Sequence, residues 1–154
     1  MSSDMTTAGM DEIVEQIVAN IGATMLDFEP IRSEFAPPAD SLVATVQIAG
    51  AWTGSVIVRL TPEFSTYAAA TMFKIDACEV TSDDAKETAG ELANIVGGNL
   101  KSTLPSPSFL SLPTIVSGQE LEIRMHDAHC VSRADFAAPS GTFRIELFAQ
   151  NAPQ

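Results

Sequence analysis

Cysteine is scarce: Cys78 and Cys130 are the two in 154 residues, and they lie far apart. That speaks against a disulfide-stapled scaffold. Cationic side chains are scarce too. Eight Lys and Arg stand against twenty Asp and Glu, a formal net charge of −12. A chain without clustered cations is a poor match for nucleic-acid phosphates or for an anionic membrane surface; its acidity favours a partner that brings positive charge. No apolar run approaches the roughly 18 residues a membrane-spanning helix needs. The first residues, MSSDMTTAGMDE, carry acids where a signal peptide carries bases, so residues 1–9 read as a flexible tail. Aromatic residues make up 6%, yet 45% of the chain is apolar, enough for one buried core. The expectation is a reduced, soluble, cytoplasmic protein of one domain.

The apolar pattern divides the chain into elements. Ile13, Ile17, Ile21, Met25 and Phe28, flanked by Val14 and Val18, predict a first helix ending at Pro30. EFAPPAD then reads as a turn-rich connection. Leu42, Ala44, Val46 and Ile48 alternate with Val43, Thr45 and Gln47, and Val56, Val58 and Leu60 resume the alternation after GAWTG, which predicts an antiparallel hairpin. Thr61-Pro62-Glu63 opens a second helix with a capping residue, a proline and an acid in order. SPSFLS reads as a loop, LPTIVSG as a strand, and residues 120–126 as strand or loop. Two closing strands are expected at 128–136 and 142–148 around the APSG turn. Grouped strands and helices favour an α+β fold with a largely antiparallel sheet backed by long helices. A helix, a connection and paired strands occur once from Met10 and again from Thr81, a loose internal echo.

The longest element is expected over Thr81–Leu104. Ala85, Ala89, Leu92, Ile95, Val96, Leu100 and Thr103 share one side, and Glu87, Glu91, Asn94, Gly98 and Lys101 the other. Thr81-x-x-Asp84 gives a capping-box start, and Pro105 and Pro107 give the stop. The outer side is poor helix material. Asn94 and the pair Gly97-Gly98 forfeit about 2 kcal/mol relative to alanine, so packing or function must compensate.

Familiar reaction motifs are missing. There is no phosphate loop, dinucleotide fingerprint or nucleophile elbow. His126, His129 and Cys130 in HDAHC suggest a metal site, but positions three apart on a strand face opposite ways and no further ligands accompany them. They read as a polar loop entering a strand, with no metal expected. Trp52 reads as packing. On the outer side of the long helix, Glu91 and Asn94 leave one face a turn apart. A carboxylate there can pair with an ammonium group, and an amide can hold a water. Composition alone also allows a solvated face with an incidental Asn.

These residues carry a resemblance. GELANIVGGNLKSTL followed by LPTIVSG resembles the signature of the CheX/CheC/FliY chemotaxis phosphatases, and most of all the CheX-type domain. That motif is Ser or Asp, three residues, Glu, two residues, Asn, and a proline about 22 residues on. Glu91 and Asn94 match it. Further segments in the same order, IGATML, WTGSVIVRL, the T-P-E helix start and FRIEL, extend the resemblance over residues 10–150. Two positions depart: Glu87 occupies the Ser/Asp place, a supporting one, and Pro113 comes early, which concerns a loop. The first helix lacks an E-x-x-N pair, so one active helix per chain is expected, as in the CheX type.

The resemblance implies a CheC-like fold and hydrolysis of the phospho-aspartate of a CheY-like receiver domain. Glu91 would pair with a receiver lysine and Asn94 would orient the attacking water. Glu87, Gly98 and Lys101 would line the docking face. Magnesium would belong to the receiver, and the protein would be a homodimer. A non-catalytic binding module of the same fold is the competing reading, and a structural oligomer subunit the third.

Overall fold

The computed structural model describes residues 7–33, 40–119 and 127–151. The described chain is an α+β fold: one antiparallel sheet with helices on one face. Its elements are α1 (Thr7–Ile21), β1 (Ile31–Arg32), β2 (Asp40–Gly50), β3 (Gly54–Leu60), α2 (Pro62–Phe73), α3 (Ser82–Lys101), β4 (Ser108–Leu110), β5 (Thr114–Gln119), β6 (Ala128–Ala137) and β7 (Thr142–Gln150). The strands run in the order β1-β6-β7-β3-β2, with β4 and β5 end to end along the far edge of β2. At 20 residues α3 is the long helix; α1 has 15 and α2 has 12.

The two predicted hairpins, β2–β3 and β6–β7, lie side by side through the β3–β7 pair. β1 follows α1 and pairs with β6, while β4 and β5 follow α3 and pair with β2. Likewise α1 packs on β6 and α3 on β2. Each half therefore lays its helix and the strands after it on the hairpin of the other half. The echo in the sequence has this topological counterpart.

Alternation in the strands produces the core. Leu42, Ala44, Val46, Ile48, Val56, Val58, Leu60, Phe143, Ile145 and Leu147 face the helices and are buried. Phe143 stacks on Phe64 of α2 at 4.4 Å and on Phe136 of β6 at 5.3 Å. Phe28 meets Phe64, Tyr67 and Phe143 edge-on, contacts that add about 0.5–1.5 kcal/mol each beyond area burial. The other face of the sheet is mixed yet tight, with buried Val43 and Ile57 beside paired charges. Glu146, 7% exposed, accepts from Arg133 at 2.9 Å, and Arg144 donates to Asp135 at 2.7 Å. Burial lowers the pKa of Arg59 while nearby Glu146 opposes that shift; the hydrogen bond to Glu146 raises the pKa of Arg133.

Several expectations are corrected. SPSFLS contains a short strand, β4, because Leu110 turns inward while the backbone of Phe109 continues the ladder beside Ala49. β1 also adds two paired residues that the pattern was too short to show. The first helix stops at Ile21 and continues as a π-turn, Gly22–Leu26, ending on the left-handed Asp27. The long helix ends at Lys101, three residues early. The hydroxyls of Ser102 and Thr103 donate to the carbonyls of Asn99 and Leu100, satisfying the last turn before either proline is reached. Thr103 is consequently exposed. Residues 1–6, residues 34–39 of the EFAPPAD connection and 120–126 lie outside the described residues.

Thr88 was assigned to neither side by the pattern, but it is 1% exposed and its hydroxyl has no hydrogen-bond partner among the described residues. Thr88→Val removes an unsatisfied group at constant shape and should stabilise the fold by about 1 kcal/mol in denaturant titration. A loss of stability would show that the hydroxyl is satisfied in solution.

Candidate functional site

α3 is fixed at both ends by its own sequence. The Thr81 hydroxyl accepts from the Asp84 amide and the Asp84 carboxylate accepts from the Thr81 amide, each at 3.0 Å. Asp83 and Asp84 lie in the first turn and Lys101 in the last, matching the helix dipole. Between these ends the helix buries Thr88, Ala89, Gly90, Leu92, Ala93, Val96, Gly97 and Leu100 against the sheet and its neighbouring helices. Ile95 is only partly buried.

Glu87, Glu91, Asn94, Gly98 and Lys101 fall within an arc of about 80°, at roughly 100° per residue. Glu87, Glu91 and Gly98 are exposed; Asn94 and Lys101 are half-buried. Glu91 and Asn94 sit three residues apart, with Cβ atoms about 5–6 Å from one another. Among the described residues, side-chain hydrogen bonds on α3 are confined to its termini and to Asn99, whose amide donates to the Ile95 carbonyl at 2.8 Å. Glu87, Glu91 and Asn94 enter none of them. A carboxylate and an amide, fixed at the backbone and uncommitted at the tip, form a surface suited to receive a cation and to hold a water.

The glycines separate into distinct roles. A Cβ on Gly98 would meet nothing within 4 Å, whereas one on Gly97 would lie 2.8 Å from Leu110 Cδ1 and 2.9 Å from Val46 Cγ2. For Gly97 the compensation is packing, since its missing side chain brings the helix close to β2 and β4. Gly90 went unnoticed in the sequence. A Cβ there would lie 3.1 Å from Ile115 Cδ1 and 3.3 Å from Pro113 Cγ, so Pro113 rests on the helix one turn before Asn94. The seven-residue spacing of Gly90 and Gly97, followed by strand residues, was the signal available.

Other candidate groups have other surroundings. His129 Nδ1 is 2.8 Å from Asn151 Oδ1, and the Cys130 thiol donates to the Ser132 carbonyl at 3.3 Å. Burial pushes that thiol up from its ordinary value, away from thiolate chemistry. His126 lies outside the described residues. The Trp52 ring covers Gly54, where a Cβ would lie 2.3 Å away, and packs on the core as expected. An apolar cavity of about 20 Å³ among Val18, Leu26, Val58, Phe64, Leu92 and Phe143 is too small for a substrate.

Residues 42–136, more than half of the chain, match the family described as chemotaxis phosphatase CheX. Similar solved structures include the chemotaxis protein CheX from Vibrio vulnificus, at 19% identity, TM-score 0.76, covering 93% of this chain and 98% of that one. CheX from Desulfovibrio desulfuricans has 20% identity and TM-score 0.68, with coverage of 90% and 99%. The CheX–CheY–BeF3–Mg2+ complex from Borrelia burgdorferi has 17% identity and TM-score 0.66, with coverage of 91% and 97%. No curated protein sequence matches the chain. Described residues include no helix long and apolar enough to cross a membrane. The likeness in structure gives the shared fold and the family match gives the lineage: this chain belongs to the CheX family of chemotaxis phosphatases.

Proposed function

We propose that the protein hydrolyses the phospho-aspartate of a CheY-like receiver domain through the outer face of α3. The observation that carries this reading is the pair Glu91 and Asn94, one turn apart, free of side-chain hydrogen bonds among the described residues and next to the open space at Gly98. The Borrelia relative was captured with CheY, beryllofluoride and magnesium, which supports a receiver as the partner class. Glu91 pairs with the receiver's active-site lysine and sets the pose. Asn94 enters the receiver's site and holds a water in line with phosphorus. The water oxygen bonds to phosphorus as the acyl oxygen leaves, giving inorganic phosphate and a free aspartate. Magnesium is held by the receiver and neutralises charge on the phosphoryl oxygens. Catalysis of this kind is positioning and electrostatics. Glu87 and Lys101 border the docked surface, and the homodimer implied by the same resemblance is read out by sedimentation.

The test follows phosphate loss from a phosphorylated receiver with magnesium, with and without the protein. Glu91→Ala should raise the receiver concentration for half-maximal rate about tenfold or more, as expected for loss of a desolvated charge pair. Equal decay with and without the wild-type protein, despite measurable binding, overturns the enzymatic reading in favour of a binding module.

A further inference from the structure

We infer that Leu112 is a specificity-determining contact for the receiver, an apolar anchor beside the water-positioning amide. This rests on the function proposed above and adds a second recognition element to it.

Leu112 is 87% exposed, the most exposed of the large apolar side chains among the described residues. An isolated exposed leucine is ordinary; its placement is what distinguishes this one. The segment from Leu110 to Ile115 runs beside α3 in the reverse direction. Leu110 lies against Gly97, and Pro113 and Ile115 lie against Gly90. Leu112 falls between those contacts, alongside the helical turn that carries Asn94. The segment is also held in place. The Ser111 amide donates to the Gln47 carbonyl at 2.9 Å, the Ser111 hydroxyl accepts from the Gln47 amide at 2.9 Å, and that hydroxyl donates to the Leu112 carbonyl at 2.9 Å. Ser111 thus occupies both backbone groups of Gln47, and Pro113 fixes φ on the other side of Leu112.

A leucine held on a pinned backbone presents its side chain at small ordering cost, which is what an interface anchor requires. A partner that docks over the turn carrying Asn94 comes down beside Leu112. The occupant is the receiver, through an apolar patch bordering its phosphorylation pocket. Glu91 and Asn94 address groups common to any such pocket, whereas Leu112 addresses what surrounds it, so partner choice falls to the leucine.

The experiment uses the whole protein and CheY-type receivers from the same genome, each loaded with beryllofluoride and magnesium for binding and phosphorylated for turnover. Leu112→Ala should weaken binding of the preferred receiver about tenfold, and Leu112→Asp further. KM should rise in parallel while kcat stays within about twofold. Leu112→Met should restore most of the affinity. Circular dichroism melts of the three variants should match wild type. Unchanged affinity in both Leu112→Ala and Leu112→Asp, with the wild type active, overturns this inference and leaves the proposed function standing. A fall in kcat at unchanged affinity overturns it also, by assigning the segment to catalysis. Failure of the wild type to bind any phosphorylated receiver overturns both.

Discussion

Asn94→Ala is expected to cut the maximal rate of receiver dephosphorylation about 100-fold, the scale of losing one positioning group in a site that works by geometry. Affinity for a beryllofluoride-loaded receiver should move less than about threefold, because Glu91 and Leu112 remain. The two readouts must separate. Asn94 makes no hydrogen bond inside α3 that the fold would miss, and alanine is the better helix former by about 0.6 kcal/mol. The variant should therefore melt no lower than wild type while losing activity. That opposition marks a residue retained for function at some cost in stability. Single-turnover phosphate release at saturating protein measures the rate, and thermal unfolding the control. Wild-type rates in Asn94→Ala would remove the amide from the reaction. A lower melting temperature would assign it to the fold.

How much of this was legible beforehand varies with the physics of each element. Period-two alternation in β2, β3 and β7 was plain because one face of each lies under helices, and every second side chain there is apolar. The capping box at Thr81 was equally plain, since it is a local contact written in four adjacent residues. What escaped depends on distant partners. β1 is a strand only because β6 is beside it, and β4 only because the edge of β2 is free at Ile48–Gly50. Thr88 looks like a surface residue until α3 is seen to be covered on more than half its circumference. The candidate site shows the same division: Glu91 and Asn94 are singled out by a short pattern on one helix, whereas Gly90 and Pro113 meet across more than twenty residues of chain. The difference between Gly97 and Gly98, adjacent and identical in sequence, comes entirely from what faces them.

That difference gives the largest stability effect expected here. Gly97→Ala would gain about 1 kcal/mol of helix propensity, but its methyl would sit 2.8 Å from Leu110 and 2.9 Å from Val46, well inside the roughly 3.5–4.0 Å at which carbon atoms attract. Leu110 can change rotamer. Val46 is fully buried on β2 and stiff at χ1, so the helix itself must lift. Overpacking of this kind costs about 1–3 kcal/mol for added methylenes, and Gly97→Leu, with four carbons to place, should lose at least about 3 kcal/mol. Against a total stability of about 5–15 kcal/mol for a domain, that is a large fall in the denaturant midpoint. Gly98→Ala meets open space and should instead gain close to the full 1 kcal/mol, raising Tm by about 2–4 °C for a chain of this size. Gly98→Leu should fold like the wild type and weaken receiver binding, since the added side chain rises into the face that docks. If Gly98→Leu is destabilised as deeply as Gly97→Leu, the outer face of α3 is packed in solution and no receiver can reach Asn94 by that route. If Gly98→Leu is stable and binds normally, docking approaches from the Pro113 side of the helix, and Gly98 drops out of the interface while Glu91 and Asn94 remain in it.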